Sequence, residues 1–254
     1  MKKTKKQLAM SVAACALFGA VAVGGTMAYL TDNEGTTNTF TVGEVAVDLI
    51  EPNYPGNEDP TVKDLVPNEE VKKDPQVQNT GVNDAIVFVT VEVPVANVTV
   101  VQSDGTKGAK ENTELFWFKD EADTQGTFAN NFSDKWMELT AKGEKDMATG
   151  ATNKYVFAYK TAVGKDITTE ALFDKVQLKN IIEQEVTPGA AQNIVVNTYA
   201  IQASEVLEGE TDLTDTLTEE TLGKIYDIYF KQNDNGVVND AATHGDLNLK
   251  GEDL

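Results

Sequence analysis

Five valines at alternate positions, Val87, Val89, Val91, Val93 and Val95, constrain the fold of this chain more than any other feature. Phe88, Thr90 and Glu92 separate the first four of them. A period of two puts successive side chains on opposite faces of an extended strand, whereas a helix would scatter these valines around its surface. Valine is also stiff at its first side-chain torsion and packs well on a pleated sheet. Asn79-Thr80-Gly81, just upstream, reads as the turn that feeds this strand.

Similar patterning recurs along the chain. Phe40 and Val42 share one face, and Val45, Val47 and Leu49 share the next, with a phase slip at Gly43-Glu44 that reads as a β-bulge or tight bend. Residues 51–75 carry Pro52, Pro55, Pro60, Pro67 and Pro75 with few apolar positions, so they are expected on the surface as irregular or edge structure. Further strands are expected over Leu115 to Phe118, Tyr155 to Thr161, Val176 to Leu178 and Ile194 to Ala203, with glycine turns between them. Many short strands without alternating helices predict an all-β, antiparallel β-sandwich. One segment departs from this. Leu222, Ile225, Tyr226 and Tyr229 form a helical stripe, Thr216 or Thr218 can cap it, and Glu219 and Glu220 suit its N-terminus. It is expected as a short helix across one end of the sandwich.

The 254 residues carry 21 lysines, no arginine, and 41 acidic residues. Lys2, Lys3, Lys5 and Lys6 precede an apolar run from Leu8 to Val23, which ends in Gly24-Gly25-Thr26-Met27-Ala28. Small residues at −3 and −1 of a cut between Ala28 and Tyr29 read as a secretory signal peptide, and the run is short for a membrane span. Val12-Ala13-Ala14-Cys15 also fits a lipobox, although a cut there would strand Ala16 to Val23 on the product. Losing the leader leaves 17 lysines against 41 acids, a net charge of −24. Such a surface repels nucleic acid, and membrane contact is expected only through the uncleaved leader. The chain is therefore divided into signal peptide 1–28, N-terminal arm 29–38, β-sandwich 39–232 and acidic tail 233–254.

Four segments carry a resemblance. They are Gly24 to Asp32 at the leader's end, Thr39-Phe40-Thr41-Val42-Gly43-Glu44-Val45, Lys73-Asp74-Pro75-Gln76-Val77-Gln78-Asn79-Thr80-Gly81, and Asn197-Thr198-Tyr199-Ala200-Ile201-Gln202-Ala203. Together, in this order, they resemble the TasA/camelysin family of exported Gram-positive proteins, whose signals are cut by SipW-type signal peptidases. The resemblance implies a jelly-roll β-sandwich, a place in the extracellular matrix or on the cell surface, and self-association into fibres or with other matrix proteins. In such fibres the N-terminal strand of one subunit completes the sheet of the next. Carried over here, the donor segment runs from Tyr29 to Val42, with Tyr29, Leu30, Phe40 and Val42 as its apolar side chains. The other reading makes Phe40 to Leu49 the first strand of the chain's own sheet. A monomeric adhesin or binding module on the same sandwich is the alternative function.

Camelysin-like members have been described as metallopeptidases, but a zincin needs two histidines and a glutamate, and His244 is the only histidine. Cys15 is the only cysteine and lies in the leader, so thiol and disulfide chemistry are excluded from the processed chain. No catalytic residue and no cofactor is expected. Asn233, Asp234, Asn235 and Asp240 cluster oxygen ligands that could hold calcium, but their spacing departs from an EF-hand loop and Asn235-Gly236 reads more simply as a turn. Trp117 with Phe116 and Phe118, and Trp136 with Phe132, are expected in the core, a carbohydrate platform being the second reading.

Overall fold

A computed structural model describes residues 44–121, 129–182, 184–187, 190–207, 213 and 215–233. Ten strands are present: β1 Val47–Ile50, β2 Glu70–Lys72, β3 Gln76–Asn79, β4 Ala85–Val101, β5 Lys107–Glu114, β6 Phe116–Lys119, β7 Trp136–Glu138, β8 Thr152–Tyr159, β9 Lys175–Leu178 and β10 Val195–Gln202. Among the described residues one α-helix, α1, spans Glu219–Asn233. Every named strand pair is antiparallel. The fold is mainly β, an antiparallel sandwich, as the patterning predicts.

The valine strand is its centre. β4 is flanked by β10 on one side and β8 on the other, β7 extends the sheet beyond β8, and β5 pairs with the far end of β4. At 17 residues β4 is well beyond the usual strand length, and Pro94 explains how it stays in register. Proline has no N–H to donate and is tolerated where pairing changes. Pairing with β10 ends at Glu92, pairing with β8 ends at Pro94, and pairing with β5 starts at Val95. The strand thus crosses from a central sheet into a two-stranded ribbon at the one residue that cannot sustain the ladder.

Two cores lie on the two faces of this sheet. Val87, Val89, Val91 and Val93 pack with Val77 of β3, Val71 of β2, Phe116 and Phe118 of β6 and Val176 of β9. Those partners belong to two small sheets, β1-β3 and β2-β9-β6, which form the facing layer. Each valine of the row is fully buried, a transfer of roughly 1.5–3 kcal/mol apiece. On the opposite face Ile86, Phe88, Val156, Ala158 and Ile201 pack under Leu222, Ile225 and Tyr226 of α1. The helix therefore covers a face of the sheet rather than one end, because Ile86 and Phe88 make that face apolar as well. Thr218 caps it, its Oγ1 accepting from the Thr221 N–H at 3.2 Å.

The expected strands at 115–118, 155–161, 176–178 and 194–203 are β6, β8, β9 and β10, within a few residues at each end. The expected strand from Phe40 survives as β1 from Val47, residues 1–43 lying outside the described part. Two expectations change. Within 51–75, Val71, Lys73 and Asp74 are buried, so this stretch is not purely surface. Trp117 faces outward on β6 while Phe116, Phe118 and Trp136 are in the core.

Candidate functional site

The segment Lys73 to Gly81, which carries much of the resemblance, is a latch on the first described strand. Lys73 Nζ lies 2.8 and 3.0 Å from the two carboxylate oxygens of Glu51, just past the end of β1. Both side chains are nearly closed to solvent, at 6% and 8% exposure. The Tyr54 ring sits beside the ammonium, 4.8 Å from its centroid. Asp74, also buried, accepts from the Asn53 N–H at 2.9 Å, from Asn53 Nδ2 at 2.8 Å and from Gln76 Nε2 at 3.2 Å. Burial pushes the Glu51 carboxyl up and pulls the Lys73 ammonium down, each opposed by the charge of the other. Desolvation thus outweighs attraction for both groups, the usual balance for a buried pair.

The other end of the segment holds the chain on the near side of β1. Asn79 is fully buried; its Nδ2 donates to the carbonyls of Asn83 and Val163 at 2.8 Å each, and its Oδ1 accepts from the Gly81 N–H at 3.0 Å. Thr80 and Gly81 N–H groups both donate to the Ala46 carbonyl, and Val82 N–H donates to that of Glu44. The backbones are so close that a Cβ on Gly81 would lie 2.6 Å from the Glu44 carbonyl oxygen and 2.7 Å from the Ala46 nitrogen. Only glycine permits this approach. Lys73-Asp74 therefore grips residues 51–53, and Asn79-Thr80-Gly81 grips residues 44–46.

Sheet edges are the second element. β5 pairs with β4 and with no other strand among the described residues, and Lys107 to Glu111 are exposed. A strand with one free side offers unpaired N–H and C=O groups to an incoming segment. The lysines and glutamates of β5 are the usual restraint on indiscriminate pairing at such an edge.

An open cleft of about 680 Å³ adjoins the latch, lined by Asp74, Asp120, Asp134, Glu170 and Asp174 with the amides of Asn53 and Gln76. Burial and the neighbouring Asp120 raise the Asp174 carboxyl, which also accepts from the Glu121 N–H at 2.7 Å. No local motif announces this cleft, because its acids come from separate segments of the chain.

Most of the residues singled out in the sequence lie outside the described part. This holds for Ala28 and Tyr29 at the cut, for the donor side chains Leu30, Phe40 and Val42, for Asp234, Asn235 and Asp240, and for Cys15 and His244. Asn233 is the last residue of α1. Trp136 donates its Nε1–H to the Glu170 carbonyl at 3.0 Å, as a core tryptophan should.

Residues 3–114 match the family model described as camelysin metallo-endopeptidase, the TasA/camelysin family of the sequence resemblance. The match ends with β5 and includes the whole latch. No curated protein matches the chain. The family's description implies a metal. The described residues contain neither histidine nor cysteine, and no group of three or more acids among them is arranged to hold a metal ion. Carboxylates alone are poor zinc ligands. The described residues do not fit a zinc centre.

Proposed function

We propose, on the premise that residues 3–114 are of the TasA/camelysin type, that this chain is an exported structural protein of the cell surface or extracellular matrix. Its copies associate by adding a strand from one subunit to a sheet edge of the next. The observation that carries this reading is the one-sided strand β5, whose outer backbone edge is exposed along Lys107 to Glu111. The latch supports it, since residues 44–54 are gripped at both ends and the chain upstream of Glu44 starts from a fixed point. Tyr29 to Val42, released by a SipW-type signal peptidase between Ala28 and Tyr29, is the donor. No helix among the described residues is long and apolar enough to cross a membrane.

Removing residues 29–38 and examining the processed protein by negative-stain microscopy tests the reading. Loss of filaments with an unchanged circular-dichroism spectrum is expected. Undiminished filaments would end the donor-strand account. A second reading, a monomeric binding module, is favoured by the outward tryptophan on β6; a sharp monomer in size-exclusion chromatography at high concentration would select it.

A further inference from the structure

The outer face of the β2-β9-β6 sheet differs from the rest of this acidic molecule. Lys72 of β2 stands opposite Lys175 of β9, and Lys175 stands opposite Lys119 of β6. One row further along, Glu70, Gln177 and Trp117 are aligned in the same way. Just past β9, Lys179 places its ammonium 3.7 Å from the centroid of the Trp117 ring. A chain of net charge −20 thus puts four lysines on the face of a partly exposed tryptophan; Lys72 is exposed and Lys175 half-buried, while Lys119 and Lys179 are buried. Like charges directly opposite in a sheet are destabilising. Of the two accessible cations, Lys175 pairs with Glu70 at 3.0 Å. Glu114, which faces Lys179, already receives the Tyr155 hydroxyl at 2.8 Å on each oxygen.

We infer that this face, Trp117 with Lys72 and Lys175, binds an anionic polysaccharide. The aromatic plane suits the apolar face of a sugar ring, and Gln177 beside it presents an amide, though its Nε2 is partly engaged by the Asn68 carbonyl at 3.0 Å. The cations recur at the strand spacing of about 4.8 Å, comparable to the length of one sugar residue. That is a sparser charge lattice than duplex DNA, which carries one phosphate per about 1.7 Å. The acidic remainder of the surface opposes such a dense polyanion more strongly than a polymer with one charge per sugar. Charge complementarity therefore selects a carboxylated sugar chain over nucleic acid.

The two tryptophans make the test direct. Trp136 is buried at 4% exposure and serves as an internal reference, so a ligand on this face changes only the Trp117 emission. Titrating the full chain with polygalacturonate should change the fluorescence saturably, and dextran should leave it unchanged. Trp117→Phe should abolish the optical change. Lys175→Gln, on the partly exposed face, should weaken binding at least threefold by calorimetry, and Lys175→Gln with Lys72→Gln at least tenfold. No calorimetric binding of polygalacturonate, equal binding of dextran, or an unaltered affinity in the double variant would each overturn the inference. So would a double variant that loses self-association by sedimentation while still binding the polymer, since the face would then belong to a second copy.

Discussion

Lys73 and Lys179 are both withdrawn from water, at 5% and 6% exposure, yet they do opposite things in the two small sheets' neighbourhood. Lys73 meets a carboxylate at 2.8 Å and ties the chain after β1 to the chain before β3. Lys179 meets an aromatic ring at 3.7 Å and ties together little beyond its own strand neighbours. Burial lowers the basicity of both. The difference teaches that a desolvated cation becomes structural when its partner is a distant segment with a full opposite charge. Where its partner is a neighbouring ring, it fixes that ring and leaves distant segments untied.

The largest expected effect comes from breaking the latch. Lys73→Met leaves Glu51 buried without its partner and should destabilise by about 3–5 kcal/mol, read as a shift in the urea midpoint. Lys73→Met combined with Glu51→Leu should recover most of that loss, since an apolar pair of similar volume often matches a buried ion pair. A double variant as unstable as the single one would show that Glu51 is not the cause. Next in size, Gly81→Ala forces its Cβ against the backbone of residues 44–46 and should destabilise by about 1–3 kcal/mol. Hydrogen exchange should then quicken at the Thr80 and Val82 amides while β8 remains protected.

The smallest effect, and the one that sharpens the contrast, is at Lys179. Burial brings its ammonium down to about 8 from 10.5, so the folded state gives up the proton before the unfolded state does. Below pH 8 both states hold the proton and the folded form carries a constant penalty. Between 8 and 10.5 only the unfolded state holds it, so stability should rise with pH, by about 1 kcal/mol from pH 8 to 9. Tyrosines with raised values, Tyr226 at about 12 among them, act in the opposite sense as pH passes their unfolded range. The contribution of Lys179 is therefore the difference between the parent chain and Lys179→Met. Parallel stability curves for the two would contradict it.

The resemblance-bearing segment at 73–81 was conspicuous in the sequence, but its task was not. Lys73-Asp74 read as part of a polar loop because a charged pair gives no sign of burial until its partners are known. Those partners, Glu51 and Asn53, lie some 20 residues upstream. The acidic cleft and β5 were not legible for related reasons. Neither Lys107 to Glu114, polar and without alternation, nor the scattered acids around Asp174 carry a local signal. Trp117 shows a different limit. Phe116-Trp117-Phe118 reads as uniformly apolar, and only the register of β6 against β9 decides that the middle residue points outward.

Local pattern alone determined the valine strand, the antiparallel β-sandwich, the helix near the C-terminal end, and the absence of thiol chemistry downstream of Cys15. Period, turn residues and composition act over a few neighbouring positions and need no partner to be read. The tertiary structure decided that β4 is apolar on both faces and that α1 covers one of them. It also decided that Lys73 and Asp74 are latch residues, and that four lysines share a face with Trp117. Each of these depends on pairing register and on segments brought together from distant parts of the chain, which no local pattern specifies.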